Sequence, residues 1–181
     1  MKGSRPQHGA LTKDNDRSKT AETRGVIDAL VNALNDHDIV GMDAFFADDF
    51  VWHGNAGCGV KHGLKAFQAN WQAPFQAAFA DKVAVDEAQI VDGQWAASFG
   101  RQEAVHVGTF MGIPATGKTV QIRYMDFWKV VDGKIVDNHV FVDFADVMRQ
   151  LGVDPFQGHG WEAYDEGRAA PPRPAHFMGT E

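Results

Sequence analysis

The 181 residues are 44% hydrophobic and 11% aromatic, enough to pack the core of about one domain. A formal net charge of −7 with no long basic run excludes the clustered Lys and Arg that a nucleic-acid or anionic-membrane surface requires. The single cysteine, Cys58, excludes an intrachain disulfide framework and a multi-cysteine metal site.

Residues 1–19 are polar and rich in turn formers and read as a flexible arm. They lack the apolar stretch of a signal peptide. No later apolar run approaches the roughly 20 residues of a membrane span, so a cytoplasmic protein without membrane or nucleic-acid partners is expected. From Thr20 to Asp36, Val26, Ile27, Leu30, Val31 and Leu34 recur at helical spacing. A short second helix is expected after Asp38, carrying Gly41, Met42, Phe45 and Phe46, then a strand over Phe50-Val51-Trp52-His53 and a small-residue loop holding Cys58. A third helix spans Gly63 to Ala80 with Leu64, Phe67, Trp71, Phe75 and Phe79 along one stripe. Pro74 lies inside it and should kink or divide it, because proline lacks the N–H and crowds the carbonyl four residues back.

The period then changes from helical to alternating. Val83–Val91 and Gln94–Val107 read as strands joined at Asp92-Gly93. A Gly/Pro/Thr loop over 108–118 leads into a second hairpin, Val120–Val131 and Lys134–Asp143, closed by Asp132-Gly133. Asp-Gly between apolar runs marks a two-residue turn with both residues at positive φ. An unbroken register from that turn sets Trp128 opposite Asp137, Asp126 opposite His139 and Tyr124 opposite Phe141, on one face of the sheet. Asp143 to Leu151 reads as a terminal helical turn with Asp143 as its N-cap, stopped by Gly152. The domain is then expected over 20–153. Residues 154–181, rich in Gly and Pro, form an extended or partly disordered tail that Trp161, Tyr164 and Phe177 could anchor.

Helices first and antiparallel strands afterwards give an α+β domain. A curved antiparallel sheet wrapped around the N-terminal helices leaves a cone with a pocket at its open end. On the hairpin face Asp126 is an isolated carboxylate between Tyr124 and Trp128, costly to bury unpaired. It reads as a general base tuned by an apolar pocket and by His139. His139 would orient it or relay its proton, and His53 would assist at the oxyanion. Tyr124, Trp128 and Phe141 would form the apolar wall. His106, before the loop, is a substrate contact or a loop anchor, and Trp71 is core or pocket wall. His37, His62 and His159 read as surface residues. No His-x-His or His-x-x-x-His pair occurs on a strand or helix, so no metal is expected. Gly112-Ile113-Pro114-Ala115-Thr116-Gly117-Lys118-Thr119 matches the letters of a phosphate-binding loop, but a strand follows it where that motif requires a helix.

The loop from His106 to Lys118 resembles the signature loop of SnoaL-like polyketide cyclases, as do Asp126, the Asp-Gly-Lys turn, Gln150-Leu151-Gly152, and Phe45-Phe46-Ala47-Asp48-Asp49 ahead of Trp52-His53. The resemblance covers roughly Thr20 to Gly152. It implies the cone-shaped α+β barrel of the nuclear transport factor 2-like superfamily, often a homodimer through the sheet. It also implies a cofactor-free intramolecular aldol condensation of a small hydrophobic carbonyl compound, a lyase or isomerase reaction. The family sets a histidine and an aspartate across the last hairpin, with the aspartate on the final strand. Here the carboxylate, Asp126, comes first and His139 follows. Two other readings use the same parts: a hydrolase or dehydratase acting through the Asp126–His139 pair, and a non-catalytic dimer that binds a small ligand.

Overall fold

The computed structural model describes residues 17–36, 41 and 43–172. The N-terminal arm to residue 16, and residues 38–40 and 42 at the start of the expected second helix, lie outside the described residues; Phe46, expected at the end of that helix, belongs instead to a strand. Helix α1, Arg17–Asn35, buries Thr23, Ile27 and Leu30, one helical face as its spacing predicts. Strand β1, Phe46–His53, starts earlier than the sequence pattern suggests, and β2 is the short Val60–His62. The expected third helix is divided as Pro74 requires. It runs as α2, Leu64–Phe67, then a π-turn, Gln68–Gln72, then α3, Ala73–Ala78 with the proline in its first turn. At the π-turn the Ala73 N–H reaches back five residues to the Gln68 carbonyl. Strands β3, Phe79–Asp92, β4, Trp95–His106, β5, Thr119–Val131, and β6, Lys134–Val142, complete the sheet. Helix α4, Phe144–Gln150, follows, capped by the Asp143 carboxylate accepting from the Asp146 N–H at 3.0 Å.

The six strands form one sheet in the order β2-β1-β6-β5-β4-β3. The domain is α+β as expected, but the sheet has two edges and does not close into a barrel. The β1–β6 pair is parallel and the other neighbours are antiparallel. Helices α1 to α3 cover its inner face. Between them lies an aromatic core in which Phe50, Trp52 and Phe79 are essentially inaccessible, Phe50 meets Phe67 edge-on at 5.3 Å, and Trp52 stacks on Trp71 at 4.6 Å. Each such side chain contributes about 1.5–3 kcal/mol by leaving water.

The last hairpin turns at Asp132 and Gly133, both at positive φ (50° and 71°), and Val131 pairs with Lys134. The unbroken register does not persist. Val130 pairs with Ile135, but Lys129 pairs with Asp137, so β6 holds one extra residue, Val136, at a β-bulge. A one-residue slip sends every later side chain to the other face. Asp126 therefore lies opposite Val140, and His139 lies opposite Phe127. Burial along β6 shows the same change of phase: Ile135 is buried, Val136 and Asp137 are not, and Asn138, Val140 and Val142 are. The β3–β4 hairpin also differs from expectation by one residue. Asp92 pairs with Trp95, so the turn is Gly93-Gln94, with Gly93 at φ 56°.

The 108–118 loop folds onto α3 and β4. Its Phe110 and Ile113 are buried and hydrogen-bond each other through their backbones. A side chain at Gly108 would place its Cβ 2.2 Å from the Ala77 carbonyl oxygen, so only glycine fits that approach. Lys118 leads into β5, not into a helix, so the phosphate-loop letters carry no such loop. The described part of the tail forms turns and a short helix α5, Glu162–Asp165, against α4. Arg149 bridges to Glu162 at 2.6 Å and lies over the Phe156 ring.

Candidate active site

The inner face of the sheet and the divided helix enclose a cavity of about 160 Å³, walled by Trp52, Trp71, Phe75, Ile122, Trp128 and Val140. Polar groups enter it from both sides. Asp126, Tyr124 and Asn138 come from the hairpin, Gln102 from β4, Lys82 from β3, and Gln72 and Gln76 from the helix. An apolar chamber with a few convergent polar groups is the usual form of a small-molecule site.

Asp126 is its central acid. The Asn138 amide donates to its Oδ1 at 3.1 Å and also to the Phe127 carbonyl at 3.2 Å. Burial pushes the Asp126 carboxyl up to about 7. The Asn138 hydrogen bond pulls the other way, and the Asp86 charge adds a smaller upward push. A carboxyl with that value is close to evenly ionised at neutral pH, where a general base is most effective. Asn138 is itself only 4% exposed, so its amide is fixed and Asp126 is aimed.

Tyr124 donates its hydroxyl to Asp86 Oδ1 at 2.5 Å. Burial first, then this bond and the surrounding carboxylate charges, push its pKa up and keep it a phenol. The row that permits the contact is Tyr124–Gly100–Asp86 across three strands. Gly100 carries no side chain between them. Lys82 donates to the Phe79 carbonyl at 2.7 Å, and burial lowers its pKa. Among the described residues, the buried polar atoms without a protein partner include Gln72 Nε2, on the cavity wall, and Ser98 Oγ, whose residue pairs with Asp126 across β4–β5. A buried donor left unpaired costs about 1–3 kcal/mol, a cost that a polar ligand in the cavity would remove.

Of the residues singled out from the sequence, Asp126, Tyr124, Trp128 and Trp71 line this cavity. His139, His53 and Phe141 do not. His139 and Phe141 follow the bulge and turn to the outer face, where Phe141 is 52% exposed. His53 follows the buried Trp52 on β1 and also points outward. The Asp126–His139 couple expected from an unbroken hairpin is therefore not formed. His106 is fully buried beneath the signature loop, with Nδ1 3.0 Å from Thr116 Oγ1, and anchors that loop. His62 and His159 are exposed, and His37 lies outside the described residues. Asn138, Gln72, Lys82 and Asp86 were missed. The signal for Asn138 was the shift of apolar phase from Ile135 to Val140 and Val142, which Val136 and Phe141 obscure. Burial raises the Cys58 thiol pKa, which keeps it protonated and weakly nucleophilic.

The fold and site are thus a helix-backed open α+β sheet with an acid in an apolar chamber. The family profile described as SnoaL-like polyketide cyclase matches residues 24–151, and the chain belongs to that family. Nogalonic acid methyl ester cyclase of Streptomyces nogalater is 29% identical over 134 residues, 73% of this chain and 98% of the relative. Aklanonic acid methyl ester cyclase DnrD of Streptomyces peucetius is 33% identical over 89 residues, 46% of this chain and 59% of that one. The structure of IdmH from Streptomyces antibioticus superposes with a TM-score of 0.63 at 27% identity, covering 72% of this chain and 99% of IdmH. AclR from Streptomyces galilaeus, at 22% identity, TM-score 0.65 and coverage of 74% and 97%, shares the fold. Among the described residues no helix is long and apolar enough to cross a membrane.

Proposed function

We propose that this chain closes a ring in a small polyketide ester by intramolecular aldol condensation, with Asp126 as general base. Asp126 takes a proton from the activated carbon between two carbonyls. The resulting enolate attacks a ketone carbonyl of the same molecule, a carbon–carbon bond forms, and the alkoxide takes back a proton from the Asp126 carboxylic acid. Product and substrate are isomers, so the reaction balances without a redox partner. The unpartnered Gln72 amide is the donor best placed by chemistry for the enolate oxygen, Asn138 positions Asp126, and Trp52, Trp71 and Trp128 exclude water. The observation that carries this reading is the Asp126 carboxyl lining the apolar chamber and held by the Asn138 amide.

The methyl esters of nogalonic and aklanonic acid, named for the relatives, are the first substrates to try. Asp126→Asn keeps the shape and removes the base. Its kcat should fall about a thousandfold, within the range general-base removal gives, while ligand affinity stays within about tenfold, or 1.4 kcal/mol. Product formation resolved by chromatography reads the first and equilibrium titration the second. Undiminished turnover in this variant would remove Asp126 from the chemistry.

The outer face supports a homodimer. Phe99, Met125 and Phe141 lie side by side on β4, β5 and β6, each 48–52% exposed, with Phe127 beside them at 42%. A contiguous apolar patch on a sheet face is the surface a second copy would cover.

A further inference from the structure

We infer that His53, Asp137 and His139 form a binding site for one divalent transition cation of zinc's class on the outer face of the sheet, behind the catalytic chamber. The site is built by the parallel pairing of β1 with β6. His53 pairs directly with His139, and Val51 with Asp137, so the two imidazoles stand side by side and the carboxylate sits two residues before one of them. The rings stack at 4.1 Å with an interplanar angle of 3°. Asp137 Oδ1 lies 3.2 Å from His53 Nε2 and 3.3 Å from His139 Nε2. One donor atom from each of the three residues lies within 4.8 Å of the others.

Two observations favour a cation over a plain ion pair. Asp137 Oδ1 is shut off from solvent and has no hydrogen-bond donor among the described residues. Both imidazole nitrogens are near, yet neither N–H is aimed at it. An ion pair would also require at least one stacked ring to be charged, and charging both would set two cations 4.1 Å apart, an unfavourable arrangement. A cation reverses these costs. Its bonds to imidazole and carboxylate run about 2.0–2.2 Å, and in a tetrahedron such bonds place neighbouring ligand atoms about 3.3 Å apart. The two nitrogen–oxygen separations already have that length. Two imidazoles and one carboxylate are a donor set for zinc, not for the hard cations that prefer oxygen alone. Side-chain exposures of 35%, 32% and 40% for His53, Asp137 and His139 leave the remaining position open to water. The positively charged neighbour, Lys129, pairs with Asp137 across the ladder but lies over the Trp95 ring, 5.9 Å from its centroid.

The test is isothermal titration of chelator-treated full-length protein with zinc chloride, beside magnesium chloride. Saturable one-to-one zinc binding is expected, with no magnesium heat. His53→Gln and His139→Gln, on different strands, should each weaken zinc binding at least tenfold with unchanged circular dichroism. Either variant suffices if the other does not fold, and the zinc-induced rise in melting temperature should disappear with it. Cobalt bound to the wild-type protein should show the strong visible bands of a tetrahedral site. Absence of saturable binding, or zinc affinity that survives these substitutions and so belongs to other histidines, overturns the site.

Discussion

On the inner face of the sheet, Asp126 meets one amide, Asn138, among tryptophans and valines. On the outer face, Asp137 meets two imidazoles with about a third of each side chain in water. These acids stand on neighbouring strands a few residues apart. Depth separates them: water withdrawn from Asp126 makes its proton hard to lose, which suits a base that must recover a proton each cycle. The imidazoles that would have tempered it are on the other side. One inserted residue, Val136, makes that division, because a bulge exchanges the faces of all that follows it.

The largest effect should come from deleting Val136, which restores the unbroken register. Val140 and Val142 would turn to solvent at about 1.5–3 kcal/mol each, and His139 would turn inward. A loss of about 3–6 kcal/mol in urea unfolding is expected, and near wild-type stability would show that the bulge does not set the faces.

The pH dependence of stability sharpens the same contrast. An unfolded aspartate titrates near 3.9, and folded Asp126 near 7. Between these values the folded chain holds a proton that the unfolded chain has released. The Asp126 contribution is therefore most favourable below about pH 4, declines as pH rises and levels off above about pH 7. Asp126→Asn removes it, so the variant should gain stability relative to wild type at pH 8 but not at pH 4. A difference that does not change with pH would contradict the buried carboxyl.

A smaller effect is expected at Asn138. Its hydrogen bond holds the Asp126 pKa down, so Asn138→Leu should move the rising limb of the pH–rate profile to higher pH and lower turnover at pH 7 about tenfold. An unmoved profile would separate Asn138 from the base. Least disruptive to the fold is Phe141→Glu on the outer face. It should shift light scattering toward the monomer and leave unfolding within about 0.5 kcal/mol. An unchanged mass would place the copy-to-copy contact elsewhere.

Much of this was legible in the chain. Asp132-Gly133 demanded its turn, Pro74 its divided helix, and Asp143 its cap, because each acts through its own backbone. The glycines and prolines of the 108–118 segment marked the loop. The bulge was hidden because Val136 and Phe141 suit an unbroken strand as well as Ile135, Val140 and Val142 suit a shifted one. The His53–Asp137–His139 cluster was hidden for another reason. Its spacing exists only across the parallel β1–β6 ladder, and Asp137-x-His139 pairs an imidazole with a carboxylate instead of a second imidazole. The place of Asp126 in the chamber was legible, since a lone carboxylate among aromatics has few inexpensive places to go.

Gly100 sets a limit on redesign. A methyl group there would come 2.1 Å from the Val85 carbonyl oxygen and 2.9 Å from the Asp86 Cα, both main-chain atoms that cannot swing aside. The floor beneath the phenol is thus closed to engineering. Anyone wishing to admit a bulkier guest must carve from the opposite wall, at Trp71 or Phe75, where truncation leaves room without forcing ribbons apart.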